Sequence, residues 1–188
     1  MGRRDHNSRS EQPIWGIHLV AGLGSQTPPS DKMNITFANC QRTKKINLRL
    51  LKQIVNALLA NLEIGEAELE INLLAAPEMT QLNETFLRHA GSTDVITFDY
   101  AAPEKRRHLH GEIFVCVDEA VLQARKFGTS WQSETVRYVV HGVLHLLGHD
   151  DLRAAARRGM KREEDRLVRE LSRRFSLAQL ARYPRIVV

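Results

Sequence analysis

A helical pattern running from Ser133 to Leu147 carries Val139, Val140, Val143, Leu144, Leu146 and Leu147, so most of its circumference is apolar, yet His141 and His145 sit within it one turn apart. A helix this apolar must be enclosed by other elements. The two imidazoles enclosed with it need partners, because a polar group left unpaired in a core costs roughly 2–7 kcal/mol. Any fold open to this chain must therefore cover the helix and supply its histidines. With 188 residues and 43% hydrophobic composition, the chain has material for one domain with a sizeable core, and is neither a long multidomain enzyme nor a disordered chain.

Side chains at i and i+4 share one face of a helix, so two imidazoles at that spacing can grip a single ion, as metallohydrolases use them. Gly148 follows the pattern and permits a left-handed stop, letting the chain bend so that a later side chain returns to the same ion. His149, Asp150 and Asp151 are the candidates for that third position. The usual zinc endopeptidase has Glu directly after the first histidine as general base. Here that residue is Gly142, which disfavours peptide hydrolysis. Phosphodiester hydrolysis stays open, since a water whose pKa a metal lowers toward about 7 can attack phosphorus where cations neutralise the developing charge.

Residues 1–32 are polar and turn-rich, with the run Gly24-Ser25-Gln26-Thr27-Pro28-Pro29-Ser30, and read as a flexible extension. Met33 opens an alternating stretch where the folded domain is expected to begin. Asn47 is the expected N-cap of a helix whose Leu48, Leu51, Ile54, Val55, Leu58, Leu59 and Leu62 keep helical spacing until Gly65 supplies a stop. Leu69, Ile71 and Leu73 alternate along a strand over 67–74 that Pro77 ends, and a helix over about 78–88 leads to a turn at Gly91-Ser92. Strands are expected over 94–100 and 112–117, and helices over 118–127, 133–147 and 152–171. That order describes an α+β or α/β domain with one small sheet, spanning 33–175, with a C-terminal tail over 176–188. Cys40 and Cys116 form no Cys-x-x-Cys pair and are read as small buried hydrophobes.

The segment His141-Gly142-Val143-Leu144-His145-Leu146-Leu147-Gly148-His149-Asp150-Asp151 resembles the His-Gly-x-Leu-His-Leu-x-Gly-x-Asp-His signature of the YbeY family, bacterial metallo-endoribonucleases implicated in small-subunit rRNA maturation and ribosome quality control. Leu82-Asn83, Thr93-Asp94-Val95 with Phe98, Gly111-Glu112-Ile113, and Met160 with Glu164 extend the resemblance, in family order, over Met33 to Leu171. The resemblance implies an α+β domain with a small mixed sheet, about five helices and a zincin-like metal helix. It further implies one zinc ion per chain and cleavage of single-stranded RNA in maturation of the 3′ end of 16S rRNA. By register it assigns His141 and His145 as metal ligands and Asp151, where the family has histidine, as the third, with His149 its competitor. A carboxylate oxygen ligates zinc at about 2.0–2.2 Å, so the replacement is chemically acceptable. A second departure concerns the family arginine, whose position falls on Leu87 with Arg88 beside it. Neighbouring helical side chains diverge by about 100°, so Arg88 can take the phosphate contact only if the helix frays before Gly91.

A net charge of +5 and a pI near 9.5 fit an acidic partner such as RNA; neither DNA nor a membrane is expected. Lys105, Arg106 and Arg107 with His108 and His110 form one basic loop; Arg153, Arg157, Arg158, Lys161 and Arg162 form a basic helix face that Glu163, Glu164 and Asp165 can offset. Phe127, Trp131 and Tyr138 are read as packing residues, and Met160 and Glu164 as fixing the last helix on the metal helix, with Glu164 a candidate partner for a ligand. No stretch approaches the roughly 18 apolar residues of a membrane span, and the expected location is the cytoplasm. Two alternatives remain: a metalloprotease-like or other zinc-dependent hydrolase, and a non-catalytic RNA- or ribosome-binding protein with a structural metal. Three ligands and an open position mark the enzyme; four closed ligands mark the scaffold.

Overall fold

Period-two alternation builds the centre of the molecule. A computed structural model describes residues 33–101 and 108–182 and the backbone of Leu19–Val20. Strands β1 (Leu19–Val20), β2 (Met33–Asn39), β3 (Glu66–Leu74), β4 (Val95–Asp99) and β5 (His108–Cys116) form a mixed sheet in the order β1-β4-β5-β3-β2. β2, β3 and β5 run parallel, β4 is antiparallel to β5, and β1 pairs parallel to β4.

Leu69, Ile71 and Leu73 on β3 and Leu109, Ile113 and Val115 on β5 join one core with α1 (Leu48–Asn61), α4 (Trp131–Leu146) and α5 (Ala154–Arg174). The intervening residues Leu74 and Cys116 join Ile96, Phe98 and Met79 in a smaller core on the opposite side, which α2 (Ala76–Leu82) covers. Each fully buried aliphatic side chain contributes roughly 1.5–3 kcal/mol. α3 (Val117–Phe127) completes the expected α+β domain of five α-helices. Among the described residues no helix is long and apolar enough to cross a membrane.

Several local expectations shift. α1 begins at the Asn47 cap, whose side chain accepts the Leu50 N–H, but it stops at Asn61 through a left-handed Glu63, before Gly65 is reached. Pro77 starts α2 instead of merely ending a strand, because its missing N–H costs nothing in a first helical turn. β5 begins at His108, its polar first half pairing with Glu66–Glu70 of β3, where apolar content carries no signal. Cys40 is exposed just beyond the edge strand β2, and Phe127 is 66% exposed at the end of α3, so neither is a core residue; Cys116, Tyr138 and partly buried Trp131 are packed as expected.

The packed chain also runs past 175. Leu177 and Leu180 of a 3-10 turn (Leu177–Leu180) are buried in the main core, and Ala181 bridges Ile46. Within 1–32, Leu19 and Val20 pair with Phe98 and Asp99, while the rest of that segment lies outside the described residues, as does the basic stretch Lys105 to Arg107.

Candidate metal centre

α4 starts at Ser130, whose side chain accepts the Ser133 N–H, and it presses closely on the sheet. A Cβ at Gly142 would lie 2.6 Å from Ile113 Cγ2 on β5, so no side chain fits there. The glycine that replaces the peptidase base is thus required by the packing. At its other end α4 is closed by Gly148 at φ 82°, with the Gly148 N–H donating to the His145 carbonyl at 2.8 Å and the His149 N–H to Leu144 at 3.0 Å. This reversal returns the following residues to the helix face that bears the histidines.

Asp151 is the residue that arrives. His141 Nε2 and His145 Nε2 are 3.0 Å apart, and Asp151 Oδ2 lies 3.8 Å and 3.9 Å from them. Among the described residues this is the one cluster of His, Cys, Asp and Glu whose ligand atoms converge, all within 4.8 Å of one another. Ligands at about 2.0–2.2 Å around a tetrahedral zinc stand about 3.3–3.6 Å apart, within roughly half an ångström of these separations.

The other ring nitrogens decide what faces the centre. His141 Nδ1 lies 2.9 Å from Glu164 Oε2, and His145 Nδ1 lies 3.0 Å from the His149 carbonyl. Carboxylate and carbonyl oxygens only accept, so each Nδ1 carries a proton and Nε2 is the ring nitrogen turned inward, its lone pair free in the neutral ring. Two such nitrogens and a carboxylate oxygen, all electron-rich, require a proton or a cation between them. Asp151 Oδ1 is buried without a hydrogen-bond partner, and burial raises this carboxyl group's pKa, with Asp150 adding to the rise and His141 opposing it. The donor set, two imidazoles and one carboxylate, suits zinc and leaves a fourth tetrahedral position open.

Glu164 anchors a second layer. It is 5% exposed, yet receives hydrogen bonds from His141, from Arg137 at 2.5 Å and from Lys161 at 2.9 Å; burial works against its charge, and these three partners outweigh burial and hold its pKa at about 2. In turn burial lowers the pKa of His141, but the Glu164 hydrogen bond and the charges of Glu164, Asp94 and Asp151 leave it raised. Arg137 also bonds Asp165 at 2.6 Å. Sequence reasoning identified Glu164 as a candidate partner but missed Arg137; its position one turn before His141 on the same helix was the available signal.

His149 contributes its carbonyl to the site but is not among the converging ligand groups, and it lines a separate recess with Asp150, Arg162 and Arg166. Asp150 Oδ1 accepts the Leu152 N–H. Arg88 stands outside the triad. Beyond α2 the chain widens into a π turn over Asn83–Leu87, and Arg88 follows in the left-handed region at φ 57°, so the helix ends before Gly91 as the arginine substitution requires. The extra residue of a π turn lets Leu87 pack into the smaller core while Arg88 is exposed. Asn83 closes the loop by donating to the Gly91 carbonyl at 2.8 Å. On α5, Lys161 is engaged by Glu164 and Asp165, Arg166 by Glu163 and Glu170, and Arg157 donates to the Asp151 carbonyl at 3.0 Å, while Arg153, Arg158 and Arg162 form no ion pair among the described residues. His108 and His110 each lie 3.6 Å from a carboxylate, Glu66 and Glu68 respectively.

A family profile described as Endoribonuclease YbeY matches residues 29–172. A protein of that name from Elusimicrobium minutum is 36% identical over 121 residues, covering 63% of this chain and 85% of its own length. Its namesake from Myxococcus xanthus is 34% identical over 154 residues, covering 80% of this chain but 52% of its own length. The chain therefore spans most of the first relative and about half of the second. A Thermotoga maritima protein known from its solution structure superposes with a TM-score of 0.54 at 26% identity, covering 73% of this chain and 88% of the other.

Proposed function

The chain belongs to the YbeY endoribonuclease family, and from that premise we propose that it is a metal-dependent endoribonuclease that cuts single-stranded RNA with one zinc ion held by His141, His145 and Asp151. The observation that carries this reading is the convergence of three electron-rich ligand atoms whose orientation is enforced from behind, by Glu164 on one ring and the His149 carbonyl on the other. When bound, zinc supplies Lewis-acid chemistry, activating water near neutral pH and withdrawing charge from phosphoryl oxygens. Glu164 keeps His141 in the ligating tautomer, Arg137 and Lys161 keep Glu164 ionised, and Arg88 offers its guanidinium to a phosphate of the substrate.

Family membership further supports 16S rRNA as the target, with maturation of its 3′ end and ribosome quality control as the role and the cytoplasm as the place. The peptidase reading is disfavoured by Gly142, where β5 leaves no room for a base. A structural-metal reading needs a fourth protein ligand, and among the described residues three converge. Metal analysis of the purified protein, coupled to cleavage of a single-stranded RNA before and after chelation, tests the proposal: about one zinc per chain and chelator-sensitive cleavage are expected. Cleavage that survives complete metal removal overturns it.

A further inference from the structure

A groove of about 1290 Å³ opens where the loop after β2 meets the start of α1 and the C-terminal segment, and all its charged lining residues are cations: Arg42, Lys44, Lys45, Arg49 and Arg182. None of the five forms an ion pair among the described residues, unlike Arg137, Lys161 and Arg166. The carboxylate that does reach this loop, Asp118, is already occupied by the Thr43 hydroxyl at 2.5 Å and the Ala76 N–H at 2.7 Å. Like charges gathered without counter-charges repel, and the arrangement is relieved when an anion arrives.

The groove is held in shape from below. Gln41, 4% exposed, donates to Asn39 Oδ1 and to the Lys44 carbonyl, both at 2.8 Å, and accepts the Lys44 N–H at 2.9 Å, which locks the turn bearing Arg42 and Lys44. The opposite wall is the end of the described chain: Asn47 donates to the Leu180 carbonyl at 2.9 Å and Arg182 donates to the Lys45 carbonyl at 2.8 Å. Burial of Leu180 thus brings Arg182 to the groove. Lys44 Nζ lies 5.9 Å from the centre of the Trp131 ring, at the first residue of α4. At 1.5 Å per residue along that helix, His141 and His145 are roughly 15 Å and 21 Å further on.

We propose that this groove is a second RNA-binding surface, which holds the phosphate backbone of a single strand several nucleotides away from the metal centre. A small anion is recognised by convergent donors in a pocket of roughly 300–1,000 Å³; a larger open groove of spaced cations fits a polymer of phosphates instead. The proposal rests on the RNA reading above but concerns a different surface.

The test uses the full chain with R42E/K45E/R49E, three exposed positions, of which Arg49 lies in the first turn of α1, where a carboxylate is favourable to the helix. R125E/K126E, two charge reversals against three, serves as a control away from the groove. Binding to an RNA of about 20 nucleotides, longer than the roughly 4–16 that one binding face covers, is measured across salt concentrations. The triple variant is expected to bind at least tenfold more weakly and to lose about 2 from the slope of log affinity against log salt, since each phosphate contact contributes about 0.7. R42K/R49K should bind like wild type, and the triple variant should cleave an RNA too short to reach the groove at the wild-type rate. Unchanged affinity of the triple variant for the long RNA, or an equal loss in the control, overturns the proposal while leaving the endoribonuclease reading intact. Loss of binding in the triple variant of a wild-type protein that cleaves nothing upholds the groove and overturns the catalytic reading. Affinity for polyglutamate that vanishes in the triple variant while RNA affinity persists assigns the groove to an acidic protein partner and also overturns the proposal.

Discussion

Glu164 Oε2 on α5 lies 2.9 Å from Nδ1 of His141 on α4, so a carboxylate from the last long helix sets the tautomer of an imidazole in the candidate metal centre. The same carboxylate receives Arg137 and Lys161, which makes it the point where ligand orientation and helix packing meet. Glu164→Gln keeps the shape but turns an amide toward two cations. Zinc affinity should fall roughly 10–100-fold, read by competition with a chromophoric chelator.

Acid stability follows from the same residue. The pKa of Glu164 is lowered from 4.5 to about 2, so its contribution is complete above the unfolded value and is lost as pH falls from about 4.5 through about 2. In urea melts of metal-free protein, the stability gap between wild type and Glu164→Gln should narrow over that interval. A gap that widens on acidification contradicts the assignment.

Asp151 and His149 are separated by which part of each residue faces the rings. Asp151→Ala should abolish stoichiometric zinc and Asp151→His should hold it at least comparably, whereas His149→Ala, which keeps the carbonyl that His145 uses, should retain it. Zinc content after gel filtration reads all three variants. Metal loss in His149→Ala alone would show the wrong third ligand.

Gly142→Ala gains up to about 1 kcal/mol of intrinsic helix propensity but forces a Cβ to within 2.6 Å of Ile113 Cγ2. Overpacking should win, with a net loss of roughly 1–3 kcal/mol in chemical denaturation. Adding Ile113→Ala should make the two changes non-additive, since the second removes the obstructing methyl group.

Leu180→Ala should destabilise the protein by roughly 2–5 kcal/mol, the range for emptying a fully buried leucine site. A midpoint within error of wild type would return residues beyond 175 to the status of a tail.

Arg88 holds a left-handed conformation at φ 57° that glycine adopts freely. Arg88→Gly should therefore leave stability equal or higher while slowing RNA cleavage at least tenfold, the direction opposite to that of a structural residue. Unchanged cleavage removes the guanidinium from the phosphate contact.

Local spacing was enough for the helix that bears the histidine pair: residues at i and i+4 share a face, the apolar residues around them call for enclosure, and Gly148 permits the left-handed stop that ends it. The alternation of Leu69, Ile71 and Leu73 and the Asn47 cap were legible for the same reason, since each depends on neighbours only a few residues away. Tertiary structure decided that Asp151 and not the ring of His149 faces the two imidazoles, that Arg137 and Glu164 stand behind them, and that Leu180 is buried and carries Arg182 to a loop around Lys45. Asp151 reaches the rings only through the turn at Gly148, the others join segments far apart in the chain through hydrogen bonds and burial, and no periodicity records which partner a polar atom finds once water is excluded.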